Sequence, residues 1–356
     1  MNVEISIFRN MSKNLIVSLL SDQAVQNVMF IKQMSTRQTE YLFVSTEKME
    51  KKGVKDNIKN VCKIRNENSN TVIVKENSIN DIKEKLSEID CSIYEKILVN
   101  ITGGTKIMSI AVKEFFNDKP KIEFYYMPIN SDREKSPLIV NLQNEKDIIP
   151  ISCDITLIDY LGSYGVKIRE KKSELFPEEF TIKFHKEYYE DLDSKGILKD
   201  LREERDELRK IKNKNERKNW SVENHWPELK NLFKGKLYKK EIHYLTGDWF
   251  EELEYFKIKK TLGLTDSYIK TGVTIIKGTT DNEIDVIYVH NYNLYTIECK
   301  TSVGEKIMNE TIYKAKALQT NFGLTAEAKI CTLSPINDRV AERAETFNII
   351  VSQEKN

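Results

Sequence analysis

The sequence predicts two α/β units in series, joined by a charged helical stretch. Three observations carry that reading. Residues 1–150 alternate continuous apolar strands with helical segments, the pattern of a mostly parallel sheet covered on both faces. Residues from about 186 to 235 are dominated by helix formers and charge. From about Lys236 a helix, three strands, a second helix and a further strand describe a compact mixed α/β unit. The expected division is a Rossmann-like domain at 1–150, a largely helical connector at 151–235 and the mixed domain at 236–356.

The elements follow in order. Leu15 to Leu20 is an apolar run, followed by Ser21-Asp22-Gln23 and a helical stretch carrying Val28, Ile31 and Met34. Further strands are expected at Tyr41–Thr46, Thr71–Val74, Lys96–Ile101, Ile122–Met127 and Leu138–Leu142, with a helix from about Thr105 to Phe116. In the connector, Leu198, Leu201, Leu208 and Ile211 are spaced for one narrow apolar stripe on an otherwise solvated helix. The run from Arg209 to Lys218 is basic. Beyond it, a helix is expected over Asp248–Lys260. Strands follow at Gly272–Ile276, Glu283–Val289, Leu294–Lys300 and Lys329–Leu333, with a helix over about Asn309–Asn321.

Composition narrows the class. The chain has 356 residues, with 56 Lys+Arg against 55 Asp+Glu and a net charge of +1. That length favours two cores over one. A content of 40% hydrophobic and 31% charged residues suits a globular chain. The net charge gives no support to wholesale electrostatic binding of nucleic acid or membrane, though a local basic groove remains open. Leu15–Leu20 is far shorter than the ~20 residues a membrane-spanning helix needs, and no signal peptide is read at the N-terminus. Five scattered cysteines without a CxxC pair argue against a disulfide framework or zinc ribbon. A reducing cytoplasm is the expected location.

The C-terminal unit holds the first chemical constellation. Strands Glu283–Val289 and Leu294–Lys300 meet through His290-Asn291-Tyr292-Asn293, read as a four-residue hairpin loop. Pairing Val289 with Leu294 places Asp285 opposite Glu298 and Glu283 opposite Lys300. Directly paired side chains stand ~4.5–5.5 Å apart, and alternate positions share a face. Glu283, Asp285, Glu298 and Lys300 are therefore expected to form one polar patch. Two carboxylates at that separation suit a hard divalent cation such as Mg²⁺. Lys300 beside them would position a water or stabilise phosphate charge. The bland alternative is a solvent-facing hairpin with a cross-strand Glu–Lys pair.

This order, a helix carboxylate, then Asp on a strand, then Glu-x-Lys on the next, resembles the PD-(D/E)XK nuclease pattern over about residues 240–335. Asp285, Glu298 and Lys300 carry the resemblance. Glu251 matches the helix carboxylate best, with Glu252 as competitor. Asp285 departs from the strict pattern because Ile284, not proline, precedes it.

The second constellation is Thr102-Gly103-Gly104-Thr105-Lys106, which follows an apolar strand and opens a helix. Paired glycines permit close backbone approach, a helix N-terminus offers N–H groups to an anion, and Lys106 adds a charge. The spacing is neither Walker A nor GxGxxG. Ser21-Asp22-Gln23 ends the first strand. In a 3-2-1-4-5-6 order, strands one and four are neighbours at the switch point, so both loops face one crevice. Capping alone would also account for Ser21 and Asp22.

The start Ser21, Asp22, Gln23, Asn27 together with Gly103, Gly104, Thr105 and Lys106 resembles a CARF domain, the cyclic-oligoadenylate sensor of type III CRISPR defence. A CARF domain ahead of a PD-(D/E)XK domain resembles the CARF–nuclease effector family over nearly the whole chain. The resemblance implies a homodimer that binds cyclic tetra-adenylate through those eight residues. It further implies a nuclease using Mg²⁺ or Mn²⁺, held by Glu251, Asp285 and Glu298, with Lys300 as catalytic lysine. Single-stranded DNA or RNA is the implied substrate, with nicking of duplex DNA in some members. The competing expectation is a ligand sensor whose C-terminal domain binds nucleic acid or protein without catalysis.

Overall fold

The computed structural model describes residues 13–129, 135–170, 174–210, 219–301 and 304–354. They divide into two compact units. One comprises Met1–Lys167 with Asn291–Asn293 and Asn321–Thr325; the other comprises Ile168–His290, Leu294–Thr320 and Ala326–Asn356. The stretch expected as a connector is thus shared out. Its first part belongs to the first unit, and residues 168–235 belong to the second.

The first unit runs β1 (Lys13–Leu19), α1 (Ala24–Met34), β2 (Thr39–Ser45), α2 (Glu47–Lys51), α3 (Val54–Cys62), β3 (Ser69–Ile73), α4 (Ile79–Ser87) and β4 (Tyr94–Asn100). It continues with α5 (Lys106–Asn117), β5 (Ile122–Tyr126), β6 (Leu138–Asn141), β7 (Ile148–Pro150) and α6 (Leu157–Ser163). The sheet order is β3-β2-β1-β4-β5-β6-β7. The expected 3-2-1-4-5-6 order is present, with β7 added at the edge. Strands β1 to β5 pair in parallel. β5–β6 and β6–β7 are antiparallel.

Central strand β1 shows why its sequence is apolar throughout. Leu15, Ile16, Val17 and Leu19 are each at most 2% exposed, because helices cover both faces. Leu15, Val17 and Leu19 join one core cluster with Ile82 and Leu86 of α4 and Met108, Ala111 and Val112 of α5. Helices α1, α3 and α6 pack together in a separate layer. Burying each such side chain stabilises the fold by about 1.5–3 kcal/mol.

The second unit begins with β8 (Lys167–Glu170), α7 (Glu178–Lys183), α8 (Glu190–Ser194), α9 (Ile197–Lys210), β9 (Asn219–Ser221), α10 (Val222–His225), β10 (Lys236–Tyr238) and α11 (Lys239–His243). Then come α12 (Trp249–Thr261), β11 (Ile269–Lys277), β12 (Thr280–His290), β13 (Asn293–Lys300), α13 (Glu305–Asn321), β14 (Glu327–Thr332), α14 (Asp338–Thr346) and β15 (Ile350–Gln353). The main sheet has the order β15-β14-β13-β12-β11-β8. β11–β12 is antiparallel, and β13–β14 and β14–β15 are parallel.

Leu198, Leu201 and Leu208 of α9 are buried, as the stripe requires, in a cluster with Trp220, Trp226 and Trp249. Ile211 and most of the basic run ending at Lys218 lie outside the described residues. The same cluster takes Leu253 and Tyr255 of α12 together with Val286, Ile297 and Cys299 of the sheet. On the other side, Met308, Ile312 and Ala315 of α13 pack with Ile330, Val340 and Ala344. Alternation along β13 then decides the site. Ile297 and Cys299 turn to the α12 face, and Glu298 and Lys300 turn to the α13 face.

Candidate functional site

The β12–β13 hairpin positions the carboxylates. Its turn is tighter than the four-residue loop expected, because the strands end at His290 and Asn293. Asn291 and Tyr292 both have positive φ, 45° and 63°, the combination a two-residue type I′ turn demands. A two-residue turn leaves the expected register unchanged, since His290 and Asn293 become neighbours in step with Val289 and Leu294.

Three of the four expected patch residues meet at their side chains. Lys300 Nζ lies 3.3 Å from Asp285 Oδ2 and 3.1 Å from Glu298 Oε2. Asp285 Oδ2 also accepts the backbone N–H of Cys299 at 2.7 Å, which fixes the carboxylate across the two strands. Asp285 is 7% exposed and Glu298 3%. The Glu283 side chain is exposed; its contribution here is its carbonyl oxygen, which accepts from Lys314 Nζ at 2.6 Å. Lys314, on α13, also reaches Glu298 Oε1 at 2.7 Å. Sequence reasoning missed Lys314. Its signal was its place on the next helix, in the layer that Glu298 faces.

Burial raises the Glu298 carboxyl above its ordinary range and Asp285 adds to this, while Lys300 and Lys314 pull it down. Burial opposes the Lys300 charge, yet Asp285 and Glu298 outweigh it and hold the ammonium above its usual range. Lys300 is therefore a cation at neutral pH and stabilises negative charge. As a free base it is disfavoured.

The two candidate helix carboxylates have different surroundings. Glu252 is 7% exposed, and its Oε2 accepts the N–H of Phe176 at 3.1 Å. Burial pushes its carboxyl up to about 7. It belongs to the helical packing around Thr181 and Tyr244. Glu251 is half-buried and close enough that its charge adds to the rise of the Cys299 thiol, which burial dominates. It stands on α12, however, on the opposite face of the sheet from Lys300. Among the described residues no three His, Cys, Asp or Glu side chains form a group able to hold a metal ion. The expected trio of Glu251, Asp285 and Glu298 is therefore gathered only as a pair. Asp285 and Glu298 do fit a divalent cation in donor chemistry, since both already turn an oxygen onto one cationic group, Lys300.

The N-terminal constellation gathers at the C-terminal ends of neighbouring parallel strands β1 and β4. A Cβ on Gly103 would stand 2.1 Å from the Leu19 carbonyl oxygen, so only glycine permits this approach of loop to strand. Gly104 has φ of +74°, the left-handed region that glycine favours. Thr105 caps α5: its Oγ1 accepts from Met108 N at 3.2 Å and donates to Glu76 O at 3.0 Å. Lys106 is exposed at the first turn of that helix. Ser21 Oγ accepts from Gln23 N at 3.3 Å, Asp22 pairs with Lys52 at 2.5 Å, and Gln23 Oε1 accepts from Leu324 N at 3.0 Å.

Asn27 takes a different place from the one expected. It is 1% exposed, and both ends of its amide are used. Nδ2 donates to Leu19 O at 3.1 Å, and Oδ1 accepts from Asn100 Nδ2 at 3.0 Å. Asn100 Oδ1 in turn accepts from Thr102 N and Oγ1, and Thr102 Oγ1 accepts from Met127 N. Asn27 is part of the floor that sets the loops. Asn100, the last residue of β4, is its unforeseen partner.

Fold and sites define a two-domain protein: a doubly wound α/β domain with a loop-lined crevice, then a mixed α/β domain with a carboxylate–lysine cluster. Residues 15–160 match the family model described as the Card1 CARF domain, and residues 238–356 match that of the Card1-like endonuclease domain. The chain belongs to the family those two models describe, a CARF domain followed by an endonuclease domain. No curated protein matches it.

Among solved structures, protein VC1899 from Vibrio cholerae is similar with a TM-score of 0.75 and 19% identity, over 96% of this chain and 94% of that one. Can2 from Sulfobacillus thermosulfidooxidans, solved with cyclic tetra-adenylate, gives 0.72 and 20%, over 95% of each chain. A type III CRISPR defence DNA nuclease activated by cyclic oligoadenylate gives 0.57 and 14%, over 92% of this chain and 47% of that one. At these identities the likeness establishes the shared fold.

Proposed function

We propose that this protein is a nuclease of type III CRISPR defence, switched on by cyclic tetra-adenylate at its CARF domain and cutting single-stranded DNA or RNA. The observation that carries the proposal is the meeting of Asp285, Glu298 and Lys300 across a hairpin, away from its turn, in a domain of endonuclease family. Two buried carboxylates facing one cation gain nothing for a passive nucleic-acid binder, because they repel phosphate.

A Mg²⁺ or Mn²⁺ ion would be held by Asp285 and Glu298, and Glu251, on the α12 side of the sheet, remains the proposed third carboxylate. Bound there, it supplies Lewis acidity and a water of lowered pKa. The chain's own part is distinct. Asp285 is oriented by the Cys299 N–H, Lys314 steadies Glu298 from the opposite oxygen, and the Lys300 ammonium stabilises charge on the scissile phosphate. In the sensor domain, the Gly103-Gly104 loop and the start of α5 offer backbone N–H groups to an anion, with Lys106 beside them. A ring-shaped activator suits an isologous pair of such domains, hence a homodimer. Binding that favours one arrangement of the pair would shift the protein toward its cutting state.

The engagement of both site carboxylates by Lys300 and Lys314 also favours a second reading, a sensor with a non-catalytic C-terminal domain. Cleavage of single-stranded DNA and RNA with Mn²⁺ and activator separates the two. The nuclease reading expects Lys300→Ala to slow cleavage by about 10²–10⁴-fold. Undiminished cleavage by this variant contradicts the site assignment, and no metal-dependent turnover on any substrate supports the sensor reading.

A further inference from the structure

From Lys230 to Lys240 five of eleven residues are lysine and none is acidic, in a chain whose net charge is only +1. This stretch holds β10, which pairs antiparallel with β9: Lys236 with Ser221, Leu237 with Trp220 and Tyr238 with Asn219. Alternation gives the two-stranded sheet an inner and an outer face. Leu237 and Trp220 turn inward and are at most 8% exposed. They join the same cluster as Ile297 and Cys299, the neighbours of Glu298 on β13. Lys236 and Tyr238 turn outward. Tyr238 is 48% exposed, a large ring left in water on a strand that the core holds from behind. Lys234, Lys236 and Lys239 are exposed along the same stretch and, among the described residues, make no ion pair. Lys240 is differently employed, over the Phe176 ring at 4.9 Å. The acid next in sequence, Glu241, accepts the Tyr238 N–H at 2.9 Å.

We propose that the outer face of β10 is a docking strip for single-stranded nucleic acid, with one base stacked on Tyr238 and backbone phosphates on Lys234, Lys236 and Lys239. Lysines without acidic partners draw a polyanion, and an unpaired base offers the flat face that an exposed ring among lysines fits. A duplex keeps its bases stacked within and leaves Tyr238 in water. A membrane surface calls for a broad apolar face, whereas among the described residues from 219 to 243 Tyr238 is the one exposed large apolar side chain. The strip rests on the nuclease reading for its partner and deepens it, by giving the strand contacts apart from Asp285, Glu298 and Lys300.

The test is fluorescence anisotropy of labelled single-stranded DNA, single-stranded RNA and duplex DNA. Each is titrated with the full-length protein in EDTA, with and without cyclic tetra-adenylate. The proposal expects wild type to bind at least one single strand, and Tyr238→Ala to lose about 5- to 100-fold in that affinity. Tyr238→Phe, which keeps the ring, should stay within about twofold. Lys234→Gln/Lys236→Gln should lower affinity at low salt by about tenfold. It should also make the slope of log affinity against log salt shallower by about 1.4, the share of two phosphate contacts. Lys199→Glu, an exposed control on α9, should stay within about twofold. Unchanged single-strand affinity in Tyr238→Ala or in the double variant overturns the proposal. So does an equal loss on duplex DNA, or failure of wild type to bind either single strand. If Tyr238→Ala melts below wild type, Tyr238→Leu repeats the comparison with bulk but no ring. Strands bound through Tyr238 but cut under no condition leave the strip standing and end the nuclease reading. Strands cut by the variants with unchanged KM end the strip and leave the nuclease reading standing.

Discussion

Asp285 and Glu252 show how two carboxylate side chains take different duties in one domain. Asp285 is held by a backbone N–H and a lysine, at the point where two strands meet. Glu252 is buried against Phe176 and Thr181, far less favourably for its charge. Because burial raises its folded-state pKa from the ordinary 4.5 to about 7, the folded state holds that proton more tightly than the unfolded chain. Stability falls as pH rises between those values and levels off above them. Glu252→Gln keeps the acceptor for Phe176 and removes the charge. We expect it to stabilise the protein by roughly 3 kcal/mol at pH 8 and little at pH 4.5, read from melting temperatures across that range. A pH-independent difference contradicts this account. At Gly103, where a Cβ meets a carbonyl oxygen, alanine should cost about 1–3 kcal/mol or more by forcing β1 and the loop apart. Denaturant titration measures it, and a wild-type midpoint would show that the loop yields freely. The adjacency of Asp285, Glu298 and Lys300 was legible from strand parity alone. Burial was not: the helix pattern favoured Glu251 over its neighbour, but that Glu252 is buried against Phe176 follows from tertiary packing alone.

At the scale of elements, the hairpin and α13 build the cluster jointly. Two carboxylates on one sheet face would repel, and α13 answers with Lys314 opposite Lys300. Lys314→Met leaves a buried carboxylate with one partner fewer and should destabilise by about 1–3 kcal/mol, reduced from a fully buried pair because Lys314 is partly exposed. Adding Glu298→Gln should recover most of that loss in urea unfolding; no recovery would show the pair to be incidental. Such a contact between a strand and a helix is set by tertiary packing, so its partner cannot be read from spacing. The strand order of the first unit could be read, because apolar runs, crossovers and handedness leave few arrangements. Its short helices α2 and α3 and edge strand β7 could not, as segments of three to nine residues span too few positions to fix a pattern. Asn27 was legible as part of the Ser21-Asp22-Gln23 start that follows β1, but its hydrogen bond to Asn100, which shares the floor, was not. Asn100→Ala would leave Asn27 Oδ1 and Thr102 N without this partner. It should cost about 1–3 kcal/mol and loosen the Gly103-Gly104 loop, seen as faster amide exchange there.

For the whole molecule, 56 basic against 55 acidic residues conceals local demands of opposite sign. Carboxylates gather at the hairpin of the endonuclease domain, and lysines gather around the ends of β2 and β3 in the CARF domain. On the proposed function, substrate and activator would be met by separate small fields and not by the charge of the whole chain. The central claim is that the first domain governs the second. Its most direct measurement is cleavage of single-stranded DNA and RNA by the purified full-length protein with Mn²⁺, with and without cyclic tetra-adenylate. The account predicts cleavage that rises at least about tenfold with the activator and is abolished by Asp285→Asn. Equal cleavage with and without the activator would contradict it.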